Sequence, residues 1–305
     1  MGDRKALLIL HGKQALNEAV RAAVESRREQ GWELAVRLTW EAGDAQRLVG
    51  EALAAGYRHI IAGGGDGTLR DIAEAMAEHP KTASLVLMPL GTANDFARAA
   101  GVPLEPDQAL ALLDVVPTAI DLGEVDGQVF LNMATGGFGS QVTANTPEDL
   151  KKILGGAAYL FTGLSRFNEL HTAYGELQGP GFQWRGDLLA LGIGNGRQAG
   201  GGRELCPQAL VDDGLLDISI LPAPQEVVAT LKNLLTEGFG IDSMFVRARL
   251  PWVEIKVSEG LYINLDGEPL EGDSLRFAVR PAALLVHMPE KSPLLRASEV
   301  PSHQG

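Results

Sequence analysis

The chain has 305 residues and a formal net charge of −13. That length favours two domains over one, and the acidity excludes the broad basic footprint of a nucleic-acid binder. No apolar run is long enough to span a bilayer, and the start MGDRKALLIL lacks the form of a signal peptide. Cys206 is the only cysteine, so no disulfide can form within the chain. The expectation is a cytoplasmic protein whose membrane contact, if any, is peripheral and transient. Cys206 itself reads as an ordinary loop or core residue. Oligomeric state has no signature in the sequence.

Taken in order, residues 5–10 (KALLIL) form an apolar strand, followed by a turn at His11-Gly12-Lys13. Residues 16–29 carry Leu16, Ala19, Val20, Ala23 and Val24 at helical spacing. Residues 32–39 alternate as a second strand, and 43–55 form a helix ended by Gly56. Residues 59–62 are a third strand, and a helix with Leu69, Ile72, Ala73 and Met76 on one face follows a glycine loop. Residues 84–88 are a fourth strand, and short helices begin near Phe96 and Gln108. Alternating strands and helices predict a parallel sheet with helices on both faces.

Beyond about residue 118 the pattern changes to closely spaced strands. Residues 119–125 and 128–134 predict a hairpin around Asp126-Gly127. Further strands are expected over 173–177, 182–193, 215–221, 252–257, 260–265, 274–279 and 282–288, with helices over 148–170 and 225–237. The fold class expected is therefore an α/β N-terminal domain followed by a mostly antiparallel β-sandwich. The division expected is 1–119 (with the boundary anywhere up to 133), 120–288, and a tail over 289–305.

Chemistry concentrates in four stretches. The first is the loop Gly63-Gly64-Gly65-Asp66-Gly67-Thr68, between a strand and a helix. Free N–H groups at such a loop and at a first helical turn can hold a phosphate. Glycine permits close approach and positive φ. The loop lacks the lysine of GxxxxGK[ST] and does not complete GxGxxG. A carboxylate beside a phosphate cradle repels the ligand unless a cation or hydroxyl intervenes, so Asp66 points to a metal–nucleotide complex. The second stretch is PLGTANDF over 89–96, at the end of the next strand, where ligands of open parallel sheets collect. Asn94 alone is as readily a helix cap. Thr39 ends a neighbouring strand and reaches the same crevice.

The third stretch is Asn264-Leu265-Asp266-Gly267-Glu268. It is first of all a hairpin turn, but it could present a general base to a hydroxyl. The fourth is Leu210-Val211-Asp212-Asp213-Gly214-Leu215, whose carboxylates are either solvated or ligands for a hard cation. The histidines do not cluster, no zinc spacing occurs, and Trp32, Trp40, Trp184 and Trp252 read as packing residues.

GGGDGT, PLGTANDFA and NLDGEPL occur here in the order that resembles the diacylglycerol kinase and sphingosine kinase superfamily. TWEAGDA, NMATGGFG, GIGNGRQAGGG and LCPQALVDDGLLDI narrow the resemblance to the bacterial YegS lipid kinases, over residues 7–296. GGDGT by itself is shared with NAD kinases and phosphofructokinases. The resemblance implies ATP in a cleft between the two domains and a lipid with a free hydroxyl as acceptor. It implies nucleotide contacts by Thr39, Gly64, Gly65, Asp66, Gly67, Thr68, Leu69, Arg70, Asp71, Thr92, Asn94 and Asp95. Glu268 corresponds to the proton acceptor, with Asp266 beside it. Asp66, Asp95 and Asp266 fall in the polar network around Mg²⁺. Leu210, Asp213 and Leu215 correspond to a cation site for Mg²⁺ or Ca²⁺, where the leucines act only through carbonyl oxygens. The tail is expected to pack back on the first domain.

The chain departs from the superfamily pattern at Arg70-Asp71, where relatives often carry Asn-Glu. It also carries His11 where Asn is common, so no role passes to His11. Two alternatives remain at this stage: a soluble small-molecule kinase of the NAD kinase sort, and a nucleotide-binding sensor without catalysis.

Overall fold

The structure, a computed structural model, describes residues 4–79, 82–137, 173–222 and 244–297. The helices expected over 148–170 and 225–237 lie outside the described residues. In the N-terminal part, β1 (Lys5–His11) pairs in parallel with β2 (Glu33–Thr39) and with β3 (His59–Gly64). β4 (Ser84–Pro89) pairs in parallel with β3. β4 is buried along its whole length, and β1 and β3 over all but their ends. Their unbroken apolar runs are what a parallel sheet covered on both faces requires.

The helices α1 (Glu18–Glu29), α2 (Asp44–Ala54) and α3 (Asp66–Ala77) connect these strands. α1 begins two residues later than its apolar spacing implies. The Asn17 side chain accepts the N–H of Val20 and caps it, which leaves Leu16 outside the helix and 80 % exposed. Two short helices, α4 (Asp95–Ala99) and α5 (Pro106–Ala111), complete this part.

The second part is antiparallel. It contains β5 (Thr118–Val125), β6 (Gln128–Phe130), β7 (Met133–Gly137), β8 (Ala173–Gly179), β9 (Phe182–Gly194), β12 (Leu216–Pro222), β13 (Val246–Leu250), β14 (Trp252–Leu265) and β15 (Glu268–Val286). A separate two-stranded ribbon, β10 (Gln198–Ala199) and β11 (Arg203–Glu204), stands apart from this sheet. The core of this second part is built on inward-facing residues of neighbouring strands, among them Val253, Ile255, Leu275 and Phe277. The Phe130 and Phe277 rings meet edge-on, 6.3 Å between centroids.

β15 joins the two parts. Its first half pairs with β14 and its middle with β5. Its end, Leu285 and Val286, pairs in parallel with Ser84 and Leu85 of β4. The two strands expected over 274–279 and 282–288 are therefore one strand with a register shift between Arg280 and Leu284. Ala282 takes φ 49° at that shift. Asp121 holds it there: Oδ1 accepts the N–H of Ala282 at 2.7 Å and Oδ2 the N–H of Gly214 at 2.7 Å.

Two further differences have local causes. The strand expected over 128–134 breaks at Leu131-Asn132 because those N–H groups turn to the Asp266 carboxylate. β13, with sequence VRARL, alternates apolar residues with arginines and is half-buried along most of its length. Such a segment has no apolar run to mark it as a strand in the sequence. Past β15, Leu294 is fully buried in the N-terminal core. The Ser292 hydroxyl donates to the Ala100 carbonyl at 2.7 Å.

Candidate active site

The loop at the end of β3 and the loop at the end of β4 lie against each other. A Cβ on Gly91 would come within 2.6 Å of the Gly65 Cα, so backbone meets backbone here. A Cβ on Gly64 would meet Thr68 at 2.5 Å. None of Gly63, Gly64, Gly65 or Gly67 has positive φ. Gly63, Gly64 and Gly65 are required for closeness rather than for left-handed backbone, and Gly67 for neither, which corrects the second of the two reasons read from sequence. Asn94 does take left-handed backbone, φ 52°. Its side chain does not cap α4; it accepts the N–H of Gly91 and donates to the Gly91 carbonyl. Thr92 stands exposed at the tip of that loop.

α3 starts at Asp66 with no side-chain cap. The N–H groups of its first turn, at Asp66, Gly67 and Thr68, are thus left for another acceptor. The Asp66 carboxyl leans to the start of α4. Burial pushes its pKa up, and the nearby Asp95 carboxylate adds to this, while the backbone amides of Asp95, Phe96 and Asn94 pull it down. Its Oδ1 is buried without a hydrogen-bond partner. An orphaned anionic oxygen beside a phosphate cradle fits a hard divalent cation.

Asp95 is itself buried and reaches the second domain. Its Oδ1 accepts the N–H of Gly202 at 2.6 Å, and Gly201 donates at 3.0 and 3.1 Å. Asp95 therefore clasps the turn between β10 and β11.

A cleft of about 610 Å³ opens beside these loops, lined by Thr39, Thr68 and Asp71, by His11, Gly12 and Lys13, and by residues 40–43. Of the latter two groups the sequence reading assigned none to the site; 11–13 were marked only by position at a strand end, and 40–43 also by falling within TWEAGDA. Asp44 organises the 40–43 turn by accepting the N–H groups of Trp40 and Glu41 at 2.6 and 3.1 Å. Those bonds and Arg47 hold its pKa down at about 2. Trp40 is 92 % exposed. It is not the packing residue expected; Trp32, by contrast, is buried.

The β14–β15 hairpin approaches α3, where Glu268 meets Arg70. Asp266 takes φ 47° in its turn. Its carboxylate accepts N–H groups from Leu131 at 2.6 Å, Met133 at 2.8 Å and Asn132 at 3.0 Å. Burial pushes its pKa up, and the three amides and Arg70 counter that. Glu268 follows on the same hairpin with its side chain 63 % exposed. Arg70 Nη1 stands 3.5 Å from Glu268 Oε1, while Arg70 Nη2 and Nε donate to Asp71 Oδ1 at 2.5 and 3.1 Å. Leu69 is buried in the N-terminal core and lines a small pocket there with Gly64, Gly65, Asp66 and Asn94, apart from the larger cleft.

The loop of Leu210, Asp213 and Leu215 has other partners. Asp213 Oδ1 accepts the N–H of Leu215 at 3.0 Å and Oδ2 is bound by Arg249. Arg249 also pairs with Asp217, whose pKa burial pushes up to about 6. Each Asp213 oxygen thus already has a donor, and Arg249 supplies the positive charge beside it. No group of three or more His, Cys, Asp or Glu side chains suited to a metal occurs among the described residues. Cys206 is buried, its thiol pushed up to about 12 by burial.

The chain matches the diacylglycerol kinase catalytic domain over residues 5–125 and the YegS C-terminal NAD kinase β-sandwich-like domain over 133–288. It is 81 % identical over 303 residues to a protein of Pseudomonas fluorescens (strain Pf0-1) described as a probable lipid kinase YegS-like, covering 99 % of each chain. A protein of the same description from Pseudomonas aeruginosa (strain PAO1) is 69 % identical over 296 residues, 97 % of this chain and 98 % of that one. Among solved structures, a diacylglycerol kinase from Bacillus anthracis str. Sterne superposes with a TM-score of 0.72 at 21 % identity, covering 95 % of this chain and 98 % of that one. That likeness is one of fold. From the matched domains and the high identity of its relatives, the chain belongs to the YegS-like lipid kinase family of the diacylglycerol kinase superfamily.

Proposed function

We propose that this chain transfers the γ-phosphate of ATP to the hydroxyl of a lipid, with Glu268 as the proton acceptor. The observation that carries the reading is the placement of Glu268. It is an exposed carboxylate on a rigid hairpin, facing α3 just past the glycine loop and joined to it by Arg70. The uncapped first turn of α3 and the loop at Gly91 receive the phosphates. Thr39, Thr68 and Asp71 line the cleft for the rest of the nucleotide. The γ-phosphoryl then lies between loop and hairpin. Glu268 takes the hydroxyl proton as the acceptor oxygen bonds to phosphorus and the bond to the ADP oxygen breaks.

Asp66 would hold Mg²⁺ through its unpartnered Oδ1, and the ion supplies charge neutralisation on the phosphates when bound. We keep Asp266 as the residue that fixes the hairpin, because three backbone amides already occupy its carboxylate. Among the described residues no helix is long and apolar enough to cross a membrane.

The test is incubation with γ-labelled ATP, Mg²⁺ and a total bacterial lipid extract. Label is expected in the organic phase. Glu268→Gln is expected to lose turnover by about 10²-fold or more while binding ATP normally, whereas Asp266→Ala should lose both turnover and thermal stability. Label confined to water-soluble acceptors overturns the lipid, and near-normal turnover in Glu268→Gln removes it from the role of base.

A further inference from the structure

Arg70 lies between Asp71, which lines the cleft, and Glu268 of the β14–β15 hairpin. Its side chain is 13 % exposed, with Nε and Nη2 fixed on Asp71 and Nη1 directed at Glu268. A planar guanidinium held by two of its nitrogens is aimed, since rotation would break both bonds to Asp71. The Glu268 contact is weaker: at 3.5 Å, to a side chain that is mostly exposed, it can be given up for a better acceptor.

We propose that Arg70 is the residue that grips the transferring phosphoryl group, passing its Nη1 from Glu268 to a γ-phosphate oxygen when ATP binds. The proposal rests on Glu268 as the proton acceptor. With the phosphates on the loop before α3 and the acceptor hydroxyl on Glu268, the phosphorus in flight lies between them. Arg70, four residues past Asp66 on the same helix, already spans that gap. Asp71 and Glu268 both border the path, and two carboxylates would repel a triphosphate if no cation stood between them. Arg70 is that cation, and its transfer to the phosphate frees Glu268 to accept a proton. The atoms balance as in the parent reaction. The hydroxyl proton goes to Glu268, the acceptor oxygen bonds to phosphorus, and ADP leaves with the bridging oxygen. Arg70 only exchanges one hydrogen-bond acceptor for another as charge builds on the equatorial oxygens.

The experiment compares wild type, Arg70→Met and Arg70→Lys for ATP and ADP affinity by calorimetry, for kcat and KM in lipid labelling, and for thermal unfolding. Wild type is expected to bind ATP about tenfold more tightly than ADP. Arg70→Met should lose that preference with ADP affinity unchanged. Its kcat should fall on the order of 10²-fold, with partial recovery in millimolar guanidinium chloride. Arg70→Lys, which keeps the charge without the fork, should fall between. Three results each overturn the proposal: no ATP preference in wild type, a preference that survives in Arg70→Met, and an equal loss of ATP and ADP affinity. Unfolding of Arg70→Met at wild-type temperature separates these results from misfolding, and Arg70→Lys with guanidinium rescue serves if it does not fold. If Arg70→Met abolishes the ATP preference but wild type labels no lipid, the lipid reading falls and the role of Arg70 stands. If wild type binds neither nucleotide, both fall.

Discussion

The Asp95 carboxylate of the N-terminal domain accepts the N–H of Gly202 in the second domain at 2.6 Å. Asp95 is also the first residue of α4, at the end of the PLGTAND loop. One side chain thus ties a loop of the proposed nucleotide cleft to a glycine-rich turn 107 residues away. Asp95→Ala would strand the Gly201 and Gly202 amides. It is expected to cost about 2 kcal/mol of stability and to make the 200–202 turn cleavable by protease. Urea unfolding and limited proteolysis check this, and an unchanged cleavage pattern would show that the turn is held by other bonds.

The approach of Gly91 to Gly65 makes a sharper test of the loop pair. Gly91→Ala places a methyl 2.6 Å from the Gly65 Cα, where no flexible side chain can yield. The loops must part, so ATP affinity should fall by at least about tenfold while the far-UV circular dichroism spectrum is retained. Calorimetric titration with ATP measures it. Gly67→Ala is the control, because a Cβ there meets nothing within 4 Å.

His287 predicts a pH dependence of stability. Its Nδ1 donates to the Val115 carbonyl at 2.6 Å, and its Nε2 meets the Ser84 hydroxyl at 2.8 Å and His59 Nδ1 at 3.4 Å. Burial, with His59 adding to it, holds its pKa below the ordinary 6.5. The unfolded chain therefore binds the proton more readily, so stability rises with pH through this window. The contribution is complete above about pH 6.5 and is lost as pH falls towards the folded-state value. Asp217, raised to about 6, works in the opposite sense over an overlapping range. The readout is thus the difference between wild type and His287→Asn. Thermal unfolding between pH 5 and 7.5 should fall off more steeply in wild type. Parallel curves would mean that the histidine does not titrate against folding.

Much of the fold could be read along the chain because it depends on local periodicity. Unbroken apolar strands alternate with amphipathic helices in the first half, and half-buried strands with tight turns make up the second. The glycine loops were legible for a similar reason, since short backbone contacts leave glycines in the sequence. Where reading failed, a distant partner decided the outcome. Leu131 and Asn132 leave their strand for Asp266, more than a hundred residues on. Ala282 is strained into a bulge that Asp121 holds.

The sequence by itself determined the family, the α/β-then-β order, and the three stretches around Asp66, Asn94 and Glu268. The order and the stretches follow from residue type and spacing, and the family from the resemblance of its motifs. Only the tertiary structure decided what each carboxylate faces. Asp95 and Asp266 hold backbone amides, Asp66 keeps one oxygen unpartnered, and Glu268 meets Arg70. The physical reason is that a carboxylate's role depends on which donors reach it. Those donors come from segments whose separation in the chain says nothing of their distance in space.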